Sequence, residues 1–93
     1  MVTAIVMITA EVHRIPEVAE VIAQIPGVSE VYSTTGEFDL VAIVRVRAHE
    51  ELAEVIPGSL NKVSGVTGTQ THIAFRTYSK HDLDAAFSIG IDA

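Results

Sequence analysis

The sequence predicts a single α+β domain in which a four-stranded antiparallel sheet carries two helices on one of its faces. Its 93 residues leave room for one hydrophobic core. The chain is 48% hydrophobic with few aromatic residues, so its apolar content is mainly the aliphatic side chains of strands and thin helix-on-sheet layers. Apolar residues recur with period two in four segments and with helical spacing in two, in the order β-α-β-β-α-β.

The first strand and the first helix are predicted from two different apolar spacings. Every second residue of the first segment is apolar, namely Val2, Ala4, Val6, Ile8, Ala10 and Val12. Helical spacing follows at Val18, Val21, Ile22 and Ile25. Pro16 suits the first turn of this helix, and Pro26-Gly27 ends it.

A β-hairpin and a second helix are predicted next. Val28–Thr35 and Phe38–Arg47 are expected to be paired strands joined by a tight turn at Gly36-Glu37. Helical spacing returns over His49–Ile56, and Pro57-Gly58 interrupts it because proline cannot continue a helix.

A fourth strand over Thr67–Tyr78 completes the predicted sheet, and an internal repeat supports the whole order. Glu17–Ile22 recurs as Glu51–Ile56, 34 residues on, while Ile25–Val28 matches Val63–Val66 at an offset of 38. The second half therefore holds four extra residues, about one helical turn. Two similar βαβ halves predict the ferredoxin-like arrangement; the alternative is a coincidence among common helix formers.

The side of the sheet away from the helices is also predicted to be apolar. Ile5, Met7, Val41 and Ile43 are expected to lie there. A sheet face exposed to water should alternate with polar residues. We therefore expect a second copy of the chain to cover this face, giving a homodimer that packs sheet against sheet and buries about 800 Å² per partner.

Composition argues against several functions. With 12 acidic and 6 basic residues, the formal charge of −6 opposes direct nucleic-acid binding. There is no cysteine, and the four histidines have no metal-ligand spacing, so no metal site is predicted. No nucleotide or nucleophile motif is present. We expect a cytoplasmic protein with no membrane span, no cofactor and no catalytic residue.

The most suggestive segment is the hairpin turn, residues 34–39, because glycine permits close backbone approach and an acid follows three positions later. Asp39 could meet the ammonium of an amino acid, while the amides of the Gly36 turn and the hydroxyls of Thr69 and Thr71 could meet its carboxylate. The structural alternative is a glycine-dependent hairpin in which Asp39 only accepts turn hydrogen bonds.

These motifs resemble a known family. The strand order, the Thr35-Gly36-x-x-Asp39 turn and the Gly65-Val66-x-x-Thr69-x-Thr71 segment are similar to the effector-binding module, or RAM domain, of the Lrp/AsnC regulators. The resemblance covers roughly residues 2–78. It implies a ferredoxin-like subunit that senses an amino acid or related metabolite, forms sheet-to-sheet dimers and assembles further, commonly into octamers.

The resemblance also implies site residues and partners. It places Gly36, Asp39, Thr69 and Thr71 around the effector, with Glu37, Phe38 and Leu40 as neighbours by position. Because the usual helix-turn-helix domain is missing from the sequence, we expect a stand-alone module that modulates transcription by associating with full-length regulators. Residues 1–78 would form the module and residues 79–93 a C-terminal extension with a short helix.

Two rival interpretations stay open. A cofactor-independent oxygenase or isomerase of the dimeric α+β barrel type shares the strand order, and His72 would be its candidate base. An ACT-like regulatory domain would also bind amino acids but at a different interface. A deep pocket within one subunit that contains His72 would favour the enzyme.

Overall fold

The computed structural model describes residues 1–80 and confirms the predicted order and fold class. The regular elements are β1 (Val2–Ala10), α1 (Ile15–Ala23), β2 (Val28–Ser33), β3 (Leu40–Val46), α2 (Glu51–Val55) and β4 (Val66–Ile73). Short 3₁₀ turns occur at Val12–Arg14 and Leu60–Lys62. The four strands form one antiparallel sheet in the order β2-β3-β1-β4. The C-terminal helix predicted within residues 79–93 falls almost entirely beyond Lys80, outside the described residues.

The core forms between the helices and one face of the sheet. Alternate residues of β1 and β3 are buried there, as their period-two pattern predicts. The buried apolar residues from the sheet are Ala4, Val6, Ile8, Ala10, Leu40, Ala42, Val44 and Val46. Those from the helical side are Val18, Ile22, Leu52, Val55, Ile56 and Leu60.

Several predicted boundaries differ from those in the structure. The first strand ends at Ala10 rather than continuing to Val12, because the chain turns there and Val12 is exposed. The fourth strand ends at Ile73 rather than at Tyr78. Ala74 donates its N–H to Thr3 O, and little of β1 remains beyond that point to pair with. Alternating sequence without a neighbouring strand does not form a sheet.

The internal repeat is visible as a reciprocal contact between the two halves. Gly27 and Gly65 both have φ of +99°, and a Cβ at either position would lie within 3 Å of a valine on the other half's helix. Gly27 O accepts the N–H of Arg45 at the end of β3, and Gly65 O accepts the N–H of Glu11 just after β1, both at 2.8 Å. Each half therefore closes against the other.

The second face of the sheet, which we call the outer face, has an apolar centre. Ile5 pairs with Ile43 and Met7 with Val41 across β1 and β3, and all four are half-buried within the single subunit. The register thus brings the four residues predicted for this face into one contiguous patch.

Candidate functional site

The turn between β2 and β3 is closed by its own hydrogen bonds. Thr34 N–H donates to Asp39 O at 3.0 Å, and Thr34 Oγ1 donates to Phe38 O at 2.9 Å. Gly36 has φ of +105°, a conformation that L side chains rarely adopt, and no atom lies within 4 Å of the place where its Cβ would be. The tip of the turn is therefore open to solvent and accessible to a ligand.

Asp39 fastens this turn to the end of β1. Its backbone N–H donates to Ile8 O at 2.9 Å, and its Oδ2 accepts the N–H of Ala10 at 2.9 Å. This side-chain bond joins the hairpin to β1 over 29 positions, so it is not the turn hydrogen bond of the structural alternative. Within residues 1–80 its other oxygen, Oδ1, has no hydrogen-bond partner. One carboxylate oxygen holds the fold, and the other is available to a cation.

The neighbours of Asp39 differ in accessibility. Glu37 is exposed at the turn, and Phe38 is half-buried. Leu40 is fully buried in the core, so any contact of this residue with a ligand would involve its backbone rather than its side chain.

Thr69 and Thr71 lie on the helix side of β4, opposite Ile8 and Val6. Thr69 donates its hydroxyl to Asn61 Oδ1 at 2.9 Å, and both residues line a concavity of about 230 Å³. Thr71 lines a separate groove of about 330 Å³ between α2 and β4.

The predicted site residues share one end of the sheet but do not converge within one subunit. Asp39 bonds to Ile8 on one side of β1, and Thr69 pairs with Ile8 on the other. Two strand spacings, about 10 Å, therefore separate them. A small ligand that touched both groups within one subunit would have to cross β1.

Asn61 is a polar residue of this region that the sequence patterns did not single out. It follows the break at Pro57, where Asn61 N–H donates to Ile56 O and Gly58 N–H donates to Ala53 O. These bonds turn the chain so that Asn61 reaches Thr69. The signal available in the sequence was the four-residue excess of the second half, which falls between α2 and β4.

A larger concavity, about 540 Å³, lies at the opposite end of the sheet and contains none of the predicted residues. It is lined by Met1, Pro26, Gly27, Arg45, Val46, Arg47, Glu51, Glu54 and Val55. Its charged side chains are exposed, as is usual for solvated surface groups.

A small polar network lies on the outer face beside its apolar centre. Tyr32 donates its hydroxyl to Glu30 Oε2 at 2.7 Å, and Arg45 Nη1 lies 3.4 Å from Glu30 Oε1. The hydrogen bond from Tyr32, together with Arg45, lowers the pKa of Glu30. The same hydrogen bond raises the pKa of Tyr32, because its proton is held by the carboxylate.

His72, the candidate base of the enzyme interpretation, also lies on the outer face. It pairs with Ile5 on β4 and is exposed, so its side chain is outside the helix-covered core. Among residues 1–80, no group of three or more His, Asp or Glu residues could hold a metal ion. No helix in that part of the chain is long and apolar enough to cross a membrane.

Comparison with known proteins identifies relatives along most of the chain. The family model described as the Lrp/AsnC ligand binding domain matches residues 3–83. An uncharacterised HTH-type transcriptional regulator of Pyrococcus horikoshii is 44% identical over 61 residues, which are 66% of this chain and 41% of that regulator. The chain thus spans less than half the length of this curated relative.

Solved structures of other proteins share the fold of this chain. A protein from Thermus thermophilus is 44% identical with a TM-score of 0.80, and the match covers 86% of this chain and 100% of that one. A transcriptional regulator from Neisseria meningitidis, solved as a complex with L-Met, has a TM-score of 0.75 at 15% identity and matches 84% of this chain and 52% of its own. The second likeness is one of fold alone.

Proposed function

Because this chain belongs to the family of Lrp/AsnC ligand-binding domains, we propose that it binds an amino acid or a related small metabolite and passes on the binding event as a change in assembly. Relatives named as HTH-type transcriptional regulators support a regulatory output. The regulator of the same fold that was solved with L-Met supports an amino acid as the ligand class.

The observation that carries this proposal is the divided role of the Asp39 carboxylate. Oδ2 is occupied by the N–H of Ala10, while the remaining oxygen can accept a hydrogen bond from an ammonium group. For a carboxylate, the open turn at Gly36 offers backbone amides and Thr71 offers its hydroxyl. Thr69 could donate its hydroxyl to a ligand only by giving up its bond to Asn61 Oδ1. Glu37, Phe38 and Leu40 would contribute only as neighbours of the turn.

The site is proposed to form between subunits. In one subunit β1 separates the turn from the threonines, so a ligand bridging both kinds of group takes them from different copies. We propose that the apolar centre of the outer face packs against a second copy and that such dimers associate into a larger ring, with an octamer as the expected size. Association with full-length regulators of the family would connect binding to transcription.

Isothermal titration with each of the twenty common amino acids, followed by light-scattering mass measurement with and without the best binder, tests the proposal. We expect saturable heat for a small subset and a ligand-dependent shift in mass. A flat response to all twenty from folded, oligomeric protein would contradict amino-acid sensing.

Stable monomers at micromolar concentration would contradict the intersubunit site. Gln24→Ala is a suitable control variant, because Gln24 is exposed at the end of α1 and lies outside the proposed site and the outer face.

A further inference from the structure

The short turn before β4 holds a polar side chain beside that strand. Leu60, which begins the 3₁₀ turn, is completely buried in the core, and the backbone N–H of Asn61 donates to Ile56 O at 2.8 Å. The side chain of Asn61 is exposed, and its Oδ1 accepts the hydroxyl of Thr69 at 2.9 Å. The core and the backbone therefore fix the amide of Asn61 against β4.

Asn61 and Thr69 together have unused hydrogen-bonding capacity of both kinds. Thr69 donates its hydroxyl proton to Asn61, so the lone pairs of its oxygen remain available as acceptors. The side-chain amide of Asn61 carries N–H donors, and none of them has an acceptor within residues 1–80. Thr67 nearby is different, because its hydroxyl proton is donated to Thr9 Oγ1 at 3.0 Å. The pair of Asn61 and Thr69 thus presents a donor beside an acceptor.

The concavity at this pair is small enough to hold one side chain rather than a whole ligand. Its volume is about 230 Å³, whereas pockets that enclose a whole small molecule commonly measure about 300 to 1,000 Å³. None of the described residues that line it is charged; they are Asn61, Val66, Thr67, Gly68 and Thr69. A charged group placed there would lose water without gaining a partner of opposite charge. The concavity therefore favours a neutral polar group.

The spacing along β4 sets the length of a ligand that reaches this pair. Thr71 lies two residues beyond Thr69 on the same side of the strand, a separation of about 7 Å. In the proposed site the hydroxyl of Thr71 binds the carboxylate of an amino acid, so the side chain of that amino acid must extend along the strand to reach Thr69 and Asn61. Two methylene groups and a terminal polar group, as in glutamine, cover this distance, whereas asparagine is one methylene group shorter.

We propose that Asn61 and Thr69 together recognise a carboxamide on the side chain of the ligand, and that the preferred ligand is an amino acid of the glutamine type. A carboxamide presents an acceptor oxygen and N–H donors, which match the donors of Asn61 and the acceptor of Thr69. A carboxylate of the same shape only accepts, so its lone pairs face those of Thr69. This inference rests on the amino-acid site proposed above and adds the groups that select one amino acid from the others.

Titration calorimetry of the wild-type chain with three ligands of similar length tests the inference. L-Glutamine offers both a donor and an acceptor, L-glutamate replaces the donor by a charge, and L-methionine offers at most a weak acceptor. Two neutral hydrogen bonds correspond to roughly tenfold in affinity, so we expect glutamine to bind about tenfold more tightly than the other two. Binding of methionine as tight as that of glutamine would overturn the inference while leaving amino-acid binding intact. No binding of any of the twenty amino acids would contradict both.

Replacing Asn61 by leucine separates recognition from a structural role. Asn61→Leu keeps the approximate size of the side chain but removes its donors and its acceptor. We expect affinity for glutamine to fall about tenfold and affinity for methionine to stay the same or rise, so that the preference disappears. Equal losses for both ligands would show that Asn61 only holds the chain in place, and this result would overturn the inference.

Asn61→Asp is the second variant, because it keeps an oxygen for the hydroxyl of Thr69 and loses only the N–H donors. It should unfold at the same temperature as the wild type and bind glutamine about tenfold more weakly, since no donor faces the ligand oxygen. Gln24→Ala, exposed at the end of α1, is the control and should keep the wild-type ratio of the glutamine and methionine affinities. Wild-type affinity of Asn61→Asp for glutamine would contradict the proposed contact.

Discussion

Replacing Asp39 separates its role in the fold from its proposed role in binding. Asp39→Ala removes the acceptor for the N–H of Ala10, whereas Asp39→Asn keeps an oxygen at that place but loses the charge. A hydrogen bond to a charged group contributes about 1.5 to 3 kcal/mol, and the half-buried position of Asp39 favours the lower end of that range. We therefore expect Asp39→Ala to lower the free energy of unfolding by about 1.5 kcal/mol.

For a domain of this size such a loss lowers Tm by roughly 6 to 12 °C. Asp39→Asn should cost only about 0.5 kcal/mol, since a neutral hydrogen bond remains. Both variants should weaken amino-acid binding by at least about tenfold, or 1.4 kcal/mol, because neither offers an anion to the ammonium.

Thermal unfolding at one fixed protein concentration and titration calorimetry measure the two effects, with Gln24→Ala as the control in both. The concentration must be fixed because the stability of an oligomer depends on it. Wild-type affinity in Asp39→Asn would refute the proposed contact with the ligand. Unchanged stability in Asp39→Ala would show that the bond to Ala10 contributes nothing to the fold.

Two further predictions concern stability and ionisation. Gly65→Ala should lower the free energy of unfolding by about 2 to 6 kcal/mol, because it combines a strained positive φ with a Cβ only 2.6 Å from Val18 Cγ2. Gly36→Ala bears only the conformational strain, about 1 to 3 kcal/mol, so chemical denaturation should show the larger loss for Gly65→Ala. Tyr32→Phe should raise the pKa of Glu30 toward its ordinary value, since the hydroxyl that lowers it is lost. Because the network favours the ionised carboxyl of Glu30, any stabilisation by it is present at neutral pH and fades as acid protonates Glu30. A carbon NMR titration that gave the same pKa for Glu30 in the wild type and in Tyr32→Phe would contradict this assignment.

The order of the elements could be predicted because each carries a strong local signal. Alternation in β1 and β3 identified the buried residues on the sheet. Prolines marked the start of the first helix and the ends of both helices. The boundaries of β4 and of the first strand could not be predicted, because they depend on where the neighbouring strand ends, which is a property of the assembled sheet. The alternating pattern continues beyond Ile73 in the sequence, but little of β1, the strand that β4 pairs with, remains beyond that point.

The candidate site was predictable only in part for the same reason. The glycine turn and its acid are local features, so their position at the tip of the hairpin followed from the sequence. The bond from Asp39 to Ala10 spans 29 positions, and the meeting of Asn61 with Thr69 depends on how the chain turns after Pro57. Periodicity carries no information about either contact. Whether Gly36, Asp39, Thr69 and Thr71 bind one ligand stays a prediction.

The reciprocal contacts of the Gly27 and Gly65 turns have a consequence for cleavage of the chain and for ligand binding. The Gly27 turn before β2 is hydrogen-bonded to Arg45 of β3, and the Gly65 turn before β4 is hydrogen-bonded to Glu11 just after β1. Each βαβ half therefore depends on the other half for the contacts of its own turn. A nick in the exposed 34–37 turn would leave two fragments that hold each other, rather than one surviving half. A ligand held by Asp39 would contact the residue that joins the hairpin turn to β1, one of the two central strands of the sheet.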